Sequence, residues 1–247
     1  MTNFVWGRRP VAEALRAGRV RRVWLLADAH LEAGFEAALR DAWHGGVRIE
    51  EVDRRHLDRL TDGANHQGVV AEVAPYRYAD FEGLLAEVRA SPRPALLLAL
   101  DHVQDPQNLG TLLRTAESAG VHGVLLPRAR AAGVTPAVAR ASSGATEHLR
   151  IAQVPNLARA LEALKAAGVW TLALDAEARQ RPDEVDLTVP LAVIVGAEGS
   201  GVSRLVRERC DLTVALPMRG RVASLNAAVA GSIVLYEAWR QRGWERA

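Results

Sequence analysis

From residue 95 onward the chain carries six short, almost uninterrupted apolar runs: "ALLLALD", "HGVLLP", "HLRIAQV", "VWTLALD", "LAVIVG" and "LTVALP". Helical patterns lie between or after them, near 109–119, 136–143, 157–167, 203–209 and 225–240. A strand apolar along its whole length must be covered on both faces, and strands that alternate with helices pair in parallel. The chain is therefore predicted to be an α/β protein built on a mostly parallel sheet. Gly18, Gly120 and Gly168 each follow a helical pattern and precede a strand, where a chain commonly leaves a helix through a left-handed turn.

The first 74 residues repeat this alternation on a smaller scale. A helix over 10–17, the strand "VRRVWLL", a helix ending at His44, the strand "VRIEEV", a short helix over 54–60 and the strand "GVVAEVAP" follow one another. "APYRYADFEG" and "ASPRPA" then bracket a connecting helix with Leu84, Leu85 and Val88. The expected organisation is a small domain over 1–74, a linker over 75–93 and a larger domain over 94–247. With 49% of its 247 residues hydrophobic, the chain can bury one large core or two smaller ones.

Charge excludes little. A formal net charge of +2 permits nucleic acid as a partner without demanding it. Lys165 is the only lysine, so the remaining basic side chains are arginines, whose planar fork suits phosphates and base edges. A biased genome, which the abundant alanine also suggests, gives the same composition. Cys210 is the only cysteine, which rules out an intrachain disulfide framework or a thiolate metal cluster. No 18-residue apolar run and no signal-like start are present, so a cytoplasmic protein without a membrane segment is expected.

Three polar clusters fall where strands of the second half end, the place where ligands bind in open parallel sheets. The first is "DHVQDPQNLGTLLRTAESAG", in which Asn108 either caps the next helix or faces a ligand, and Arg114 is either a solvated arginine or reaches towards the strand ends. The second is "VIVGAEGSG", with Gly196, Glu198, Gly199 and Gly201 after an apolar strand; these glycines make a turn or let a ligand approach the backbone. Its spacing is not that of a dinucleotide fingerprint, and no acidic residue ends the next strand. The third is "LPMRGRVASLNAAVA", residues 216–230, in which Ser224 or Asn226 is a candidate helix cap. Ala227, Ala228, Ala230, Gly231 and Ser232 make one surface of the following helix nearly flat, while Leu225, Val229, Ile233 and Tyr236 recur as core or subunit interface.

In this order, "NLGTLLRTAESAG", "GAEGSG" and "LPMRGRVASLNAAVA" resemble the three motifs of the SpoU/TrmH family of the SPOUT superfamily, the RNA ribose 2′-O-methyltransferases that use S-adenosylmethionine. The resemblance covers nearly the whole chain. "VWGRRPVAEAL" and "NHQGVVAEV" are similar to the ribosomal-protein-like RNA-binding domain of the rRNA-modifying branch, and the 23S rRNA guanosine-2′-O-methyltransferases match best. The resemblance implies a SPOUT fold with a C-terminal trefoil knot, a homodimer, and 216–230 as the knotted turn around the cofactor. Cofactor contacts are implied at Gly196, Leu216 and Leu225, with Met218, Gly220, Ser224 and Asn226 nearby. Leu216 replaces a usual isoleucine, and Ala227-Ala228 a usual Val-Ser.

Chemistry fits this resemblance. Methyl transfer from a sulfonium needs no metal, and no metal-ligand cluster is legible. Neither is a G-x-S-x-G nucleophile elbow. Arg114 is the family's catalytic arginine by position. Arginine side chains hold their proton, so Arg114 is expected to grip a phosphate and steady an alkoxide, not to act as the base. Glu198, Ser224 and Asn108 would then orient the hydroxyl or relay its proton, with Asn226 in the same set. RNA contacts are expected at Arg8, Arg9, Arg21, Arg22, Arg54, Arg55 and His66, although residues 1–74 balance 11 basic against 11 acidic side chains. Two rival readings are the same chemistry on tRNA and a non-catalytic RNA-binding protein. The intact Asn108/Arg114/Glu198/Ser224/Asn226 set opposes the second.

Overall fold

The computed structural model describes residues 3–27, 29, 31–222 and 224–245. It falls into two compact units. One is the chain up to Arg77 together with Val134–His148; the other is Tyr78–Gly133 together with the chain from Leu149.

In the first unit β1 (Asn3–Trp6), β2 (Val20–Leu26), β3 (Arg48–Val52) and β4 (Val69–Val73) form a mixed sheet in the order β1-β4-β2-β3. Strands β2 and β3 are parallel, while β4 runs antiparallel to both β1 and β2. Strand β1 has no counterpart in the sequence reading, because four residues are too few to show a period. α1 (Arg8–Arg16) and α2 (Ala33–His44) contribute Val11, Leu15, Phe35 and Leu39 to a core with Val23, Leu25 and Ala71. α3 (Arg54–Leu60) brings Leu57 against Trp24 and Val70. These two sets use alternate positions of β2, as the pleat requires.

The unit is completed from a distance. α6 (Pro136–Ala141), which sequence order places in the larger domain, belongs to it and puts Ala139 into the same core. Glu147 accepts a hydrogen bond from Arg19 at 2.5 Å, and a Cβ on Gly144 would lie 2.5 Å from Glu13 Cγ. The apolar content of 134–148 is too low for periodicity to assign it to either core.

The second unit contains β5 (Leu96–Asp101), β6 (Gly123–Pro127), β7 (Ile151–Val154), β8 (Trp170–Leu174), β9 (Leu191–Gly196) and β10 (Leu212–Val214). All six pair in parallel, in the order β10-β8-β9-β5-β6-β7. Both faces are covered, as the apolar runs demanded. Leu97 and Ala99 pack with α4 (Phe81–Ala90), α7 (Leu157–Ala166) and α8 (Arg204–Arg207) through Leu84, Leu161 and Val206. The opposite face receives α5 (Pro106–Ser118) and α9 (Ala227–Gln241). Small residues make that packing close: a Cβ on Gly231 would sit 2.7 Å from Leu112 and 2.8 Å from Val195. Gly18, Gly120 and Gly168 adopt φ of 65°, 69° and 82°, as helix-terminating glycines do.

α9 is anchored at both ends. Beyond its C-terminus Arg242 donates to the carbonyls of Pro94, Leu187 and Val189. At its N-terminus stands Asn226.

Candidate active site

Starting at β5, the strand order runs outward to β7, then resumes beyond β9 at β8. The reversal places a crevice at the carboxyl ends of the central strands, where such sheets bind ligands. Here Asp101 closes β5 beside Gly196, which closes β9. Asp101 is 1% exposed and its Oδ2 accepts the N–H of Ser203 at 2.7 Å, pinning the far end of the glycine loop. The loop folds back on itself through paired backbone hydrogen bonds between Ala197 and Gly201. A Cβ on Gly196 would stand 2.0 Å from the carbonyl carbon of Gly201, so no other residue fits there without moving the backbone.

Asn108 does not cap α5. Asp105 does, accepting the N–H groups of Gln107 and Asn108, with Pro106 at the first helical position. Asn108 is thus free to use its side chain elsewhere. Its Nδ2 donates to Glu198 Oε2 at 3.0 Å, and its Oδ1 accepts from Asn226 Nδ2 at 2.9 Å. Asn226 caps α9, its Oδ1 accepting from Ala228 and Val229 at 2.9 and 3.3 Å. Two helix N–H groups therefore fix the orientation of the Asn226 amide, which fixes Asn108, which presents a donor to Glu198. One directional chain of hydrogen bonds joins all three sequence motifs.

Beside this chain lies a cavity of about 840 Å³. Gly196, Glu198, Leu216, Met218, Ser224, Leu225 and Asn226 all line it, as does Ala230 on the flat surface of α9. Gly220 is exposed and lies outside the lining, and Ala223 of the third motif is outside the described residues. Arg114 is exposed midway along α5 and is also absent from the lining. Six residues on a helix place it about 9 Å along the axis and about 120° around from Asn108.

Sequence reasoning passed over Asp175, Glu177 and Arg207, which also line the cavity. Asp175 Oδ2 accepts from Arg207 Nη1 at 2.7 Å and its Oδ1 accepts the N–H of Glu177. The signal was present: the run "VWTLALD", like "ALLLALD", ends in an aspartate at a strand's carboxyl end. Among the described residues no group of three His, Cys, Asp or Glu side chains is placed to hold a metal.

In the first unit, Arg8, Arg54 and His66 line a second cavity, while Arg9, Arg21, Arg22 and Arg55 do not. Arg22 pairs with Glu50 at 2.5 Å and lies over the Trp24 ring. The hydrogen bond from Arg22 holds the Glu50 carboxyl below its ordinary range. His66 is buried and both its ring nitrogens are engaged.

On α9, Leu225 precedes the helix and Val229, Ile233 and Tyr236 stand on it, each about 40–45% exposed. They are not core. Ala228, Gly231, Val234, Leu235 and Ala238 are the buried residues of α9. Among the described residues no helix is long and apolar enough to cross a membrane.

A parallel sheet with a glycine-walled cavity at its switch point, and a polar chain crossing three loops, defines a small-molecule-binding α/β enzyme class. Comparison with known families gives the class a name. Residues 95–236 match the SpoU rRNA Methylase family, and residues 4–79 match the family described as RNA 2′-O ribose methyltransferase substrate binding. The chain belongs to the SpoU/TrmH family of RNA methyltransferases. It is 41% identical over 241 residues to Bacillus subtilis YacO, provisionally named a TrmH family tRNA/rRNA methyltransferase, covering 97% of this chain and 96% of that one. The AdoMet-bound rRNA methyltransferase of Sinorhizobium meliloti superposes with a TM-score of 0.79 at 26% identity, over 97% of this chain and 87% of that one. The TrmH/SpoU tRNA modifying enzyme of A. aeolicus reaches 0.55 at 29% identity, over 66% of this chain and 85% of that one.

Proposed function

We propose that this protein transfers a methyl group from S-adenosylmethionine to a ribose 2′-hydroxyl of RNA, a guanosine of 23S rRNA, as a cytoplasmic homodimer. The observation that carries the reading is the hydrogen-bonded chain Asn226–Asn108–Glu198 at the edge of the cavity. A protein that only bound RNA would have no use for a carboxylate oriented through two amides beside a small-molecule cavity.

The cavity suits the cofactor. Its volume lies within the roughly 300–1,000 Å³ of small-molecule sites. Asp175, Glu177 and Glu198 outweigh Arg207 in its lining, which favours a ligand carrying sulfonium and ammonium charge. Bound there, the cofactor supplies an electrophilic methyl group. Glu198, oriented by Asn108, takes the hydroxyl proton directly or through Ser224. Arg114, displaced along and around α5 from that carboxylate, grips the neighbouring phosphate and steadies the developing alkoxide. Alignment contributes about 7–11 kcal/mol and a general base about 10²–10⁴-fold, so the fixed geometry is the larger effect.

The first unit is read as the RNA-holding part, and 216–230 as the knotted turn. Support for rRNA comes from the substrate-binding match over 4–79, whereas the likeness to the A. aeolicus tRNA enzyme stops at 66% of the chain. The exposed apolar row Leu225, Val229, Ile233 and Tyr236 supports the dimer; a monomeric mass by sedimentation at micromolar concentration overturns that part. Mass spectrometry of ribose-methylated fragments of rRNA and tRNA, from cells with and without the protein, tests the target. Loss of one methylated guanosine in 23S rRNA is expected; a loss confined to tRNA moves the target, and no loss at all with no cofactor binding by calorimetry removes the enzyme reading.

A further inference from the structure

The second cavity lies wholly within the first unit and measures about 820 Å³. Leu26 and Ala29 give it an apolar lining, Arg8 and Arg54 its basic and Glu32 and Asp58 its acidic side chains, and the loop 63–68 forms a wall. That wall is built with unusual backbone. Asp62, Gly63, Gln67 and Gly68 adopt φ of 51°, 73°, 53° and 81°. Asp62 and Gln67 are not glycines, and a non-glycine residue held there costs of order 1 kcal/mol or more unless its surroundings enforce it.

Here they do. His66, 4% exposed, accepts the Gly68 N–H on Nδ1 at 3.0 Å and donates from Nε2 to Asp58 at 3.1 Å. Thr61 and Gly63 are tied back to α3 through Leu57 O and Asp58 O. His66 therefore shapes the loop and leaves no ring nitrogen for a phosphate. Gln67 Oε1 accepts the Arg8 N–H at 3.0 Å, which leaves the donor side of its amide for a ligand. Asn65 beside it is exposed and lines the same cavity; its Oδ1 accepts the Gln67 N–H at 3.3 Å, which again leaves the amide NH2 for a ligand.

We infer that this cavity binds one unstacked nucleotide of a single-stranded segment of the RNA substrate. The phosphate lies at Arg8 and Arg54, the base rests on Leu26, and the amides of Gln67 and Asn65 hydrogen-bond its edge. The two amide NH2 groups left over match the acceptors of a base edge, and single-stranded RNA is commonly read through such splayed bases. Strain stored at Gln67 is explained by the need to hold that amide at the wall. The inference rests on the reading of the protein as an RNA methyltransferase, and adds where and how the first unit takes hold.

The test uses the full-length protein and two labelled probes: an RNA hairpin with a single-stranded loop, and a fully paired RNA duplex of the same length. Wild type is expected to prefer the hairpin. Gln67→Gly keeps the left-handed backbone available while removing the amide, so it should weaken hairpin binding about ten-fold with the melting temperature nearly unchanged. Gln67→Asn, which tolerates that backbone and keeps an amide, should recover part of the loss. Asn65→Ala should weaken hairpin binding similarly, and Arg8→Ala should lower the salt slope by about one. Cofactor affinity should be unchanged in all four. If Gln67→Gly and Asn65→Ala bind the hairpin as tightly as wild type, the inference is overturned while the enzyme reading stands. Equal loss on hairpin and duplex overturns it too, since that marks a backbone contact only. Wild type that binds neither probe and methylates no RNA overturns both readings.

Discussion

Asn226 serves α9 and the polar chain with opposite sides of one amide, so the two roles separate by substitution. Asn226→Ala removes the acceptor for the Ala228 and Val229 N–H groups, a capping loss of about 1 kcal/mol. It also strands Asn108 Oδ1, in a residue 9% exposed beside an open cavity, for about 1 kcal/mol more. A total near 2 kcal/mol corresponds to a fall of roughly 4–8 °C in melting temperature for a chain of this size. Asn226→Asp behaves differently. Its carboxylate still caps the helix and interacts favourably with the N-terminus by about 0.3–1 kcal/mol, so melting should stay within about 2 °C of wild type. Yet it offers Asn108 no donor. If Asn108 turns its NH2 towards the introduced carboxylate, it must present its oxygen to Glu198, which then loses the hydrogen bond that orients it. Single-turnover methylation of an rRNA fragment at saturating cofactor should then fall about 10²–10³-fold, the typical cost of one preorganised group. Undiminished turnover in Asn226→Asp would refute the relay, and early melting of that variant would refute the separation of roles.

Arg114→Ala should reduce turnover about 10²–10³-fold with melting temperature and cofactor affinity unchanged, because the side chain is exposed on α5; Arg114→Lys should recover little, since a point charge does not reproduce the fork. Gly196→Ala forces the Gly201 backbone away and should abolish cofactor binding measured by calorimetry. Asp101→Ala leaves the Ser203 N–H without its acceptor in a buried place, for about 1–3 kcal/mol, and should raise the KM for the cofactor more than it lowers kcat. Burial pushes the half-buried Cys210 thiol up to about 12, so a thiol reagent at pH 8 should label it far more slowly in the folded than in the unfolded chain. The same shift has a sign for stability: the folded state keeps the proton that the unfolded chain releases near pH 8.5, so this contribution is present below that pH and is lost as pH rises towards 12. Rapid native labelling would contradict the burial.

The sheet of the second unit was legible because strands buried on both faces leave an unmistakable record in "ALLLALD" and "LAVIVG". That the three motifs meet was legible in their order: Asn108, Glu198 and Asn226 share one chain of hydrogen bonds. What stayed hidden was direction. Asp105 and Asn108 are both plausible caps three residues apart, and only the folded helix shows that the aspartate takes the backbone while the asparagine turns to Glu198. Arg114 could be named from the family resemblance, but its place on an exposed face of α5 depends on how the helix is rotated against the sheet. His66 is expected from the sequence as an RNA contact and is a buried bracket in the fold, because its partners Asp58 and Gly68 are set by the loop's own left-handed turns. Of the small residues of α9, Gly231 lies against Leu112 and Val195, while the row Leu225, Val229, Ile233 and Tyr236 has the period of either a core or an interface.

Completion of the first unit by 134–148 sets a timetable for a chain made from its amino end. When residue 77 leaves the ribosome, the sheet β1-β4-β2-β3 has all its strands but not Ala139, and Arg19 has no Glu147 to bind. The unit stays unfinished while β5, α5 and β6 are translated, and closes only once residue 148 has emerged. A gene fragment ending near residue 77 thus encodes an open fragment, and one beginning there carries Ala139 with nothing of its own core to cover it. For this protein, the order of synthesis and the order of assembly are interleaved, and cutting the gene between its two halves cuts through both.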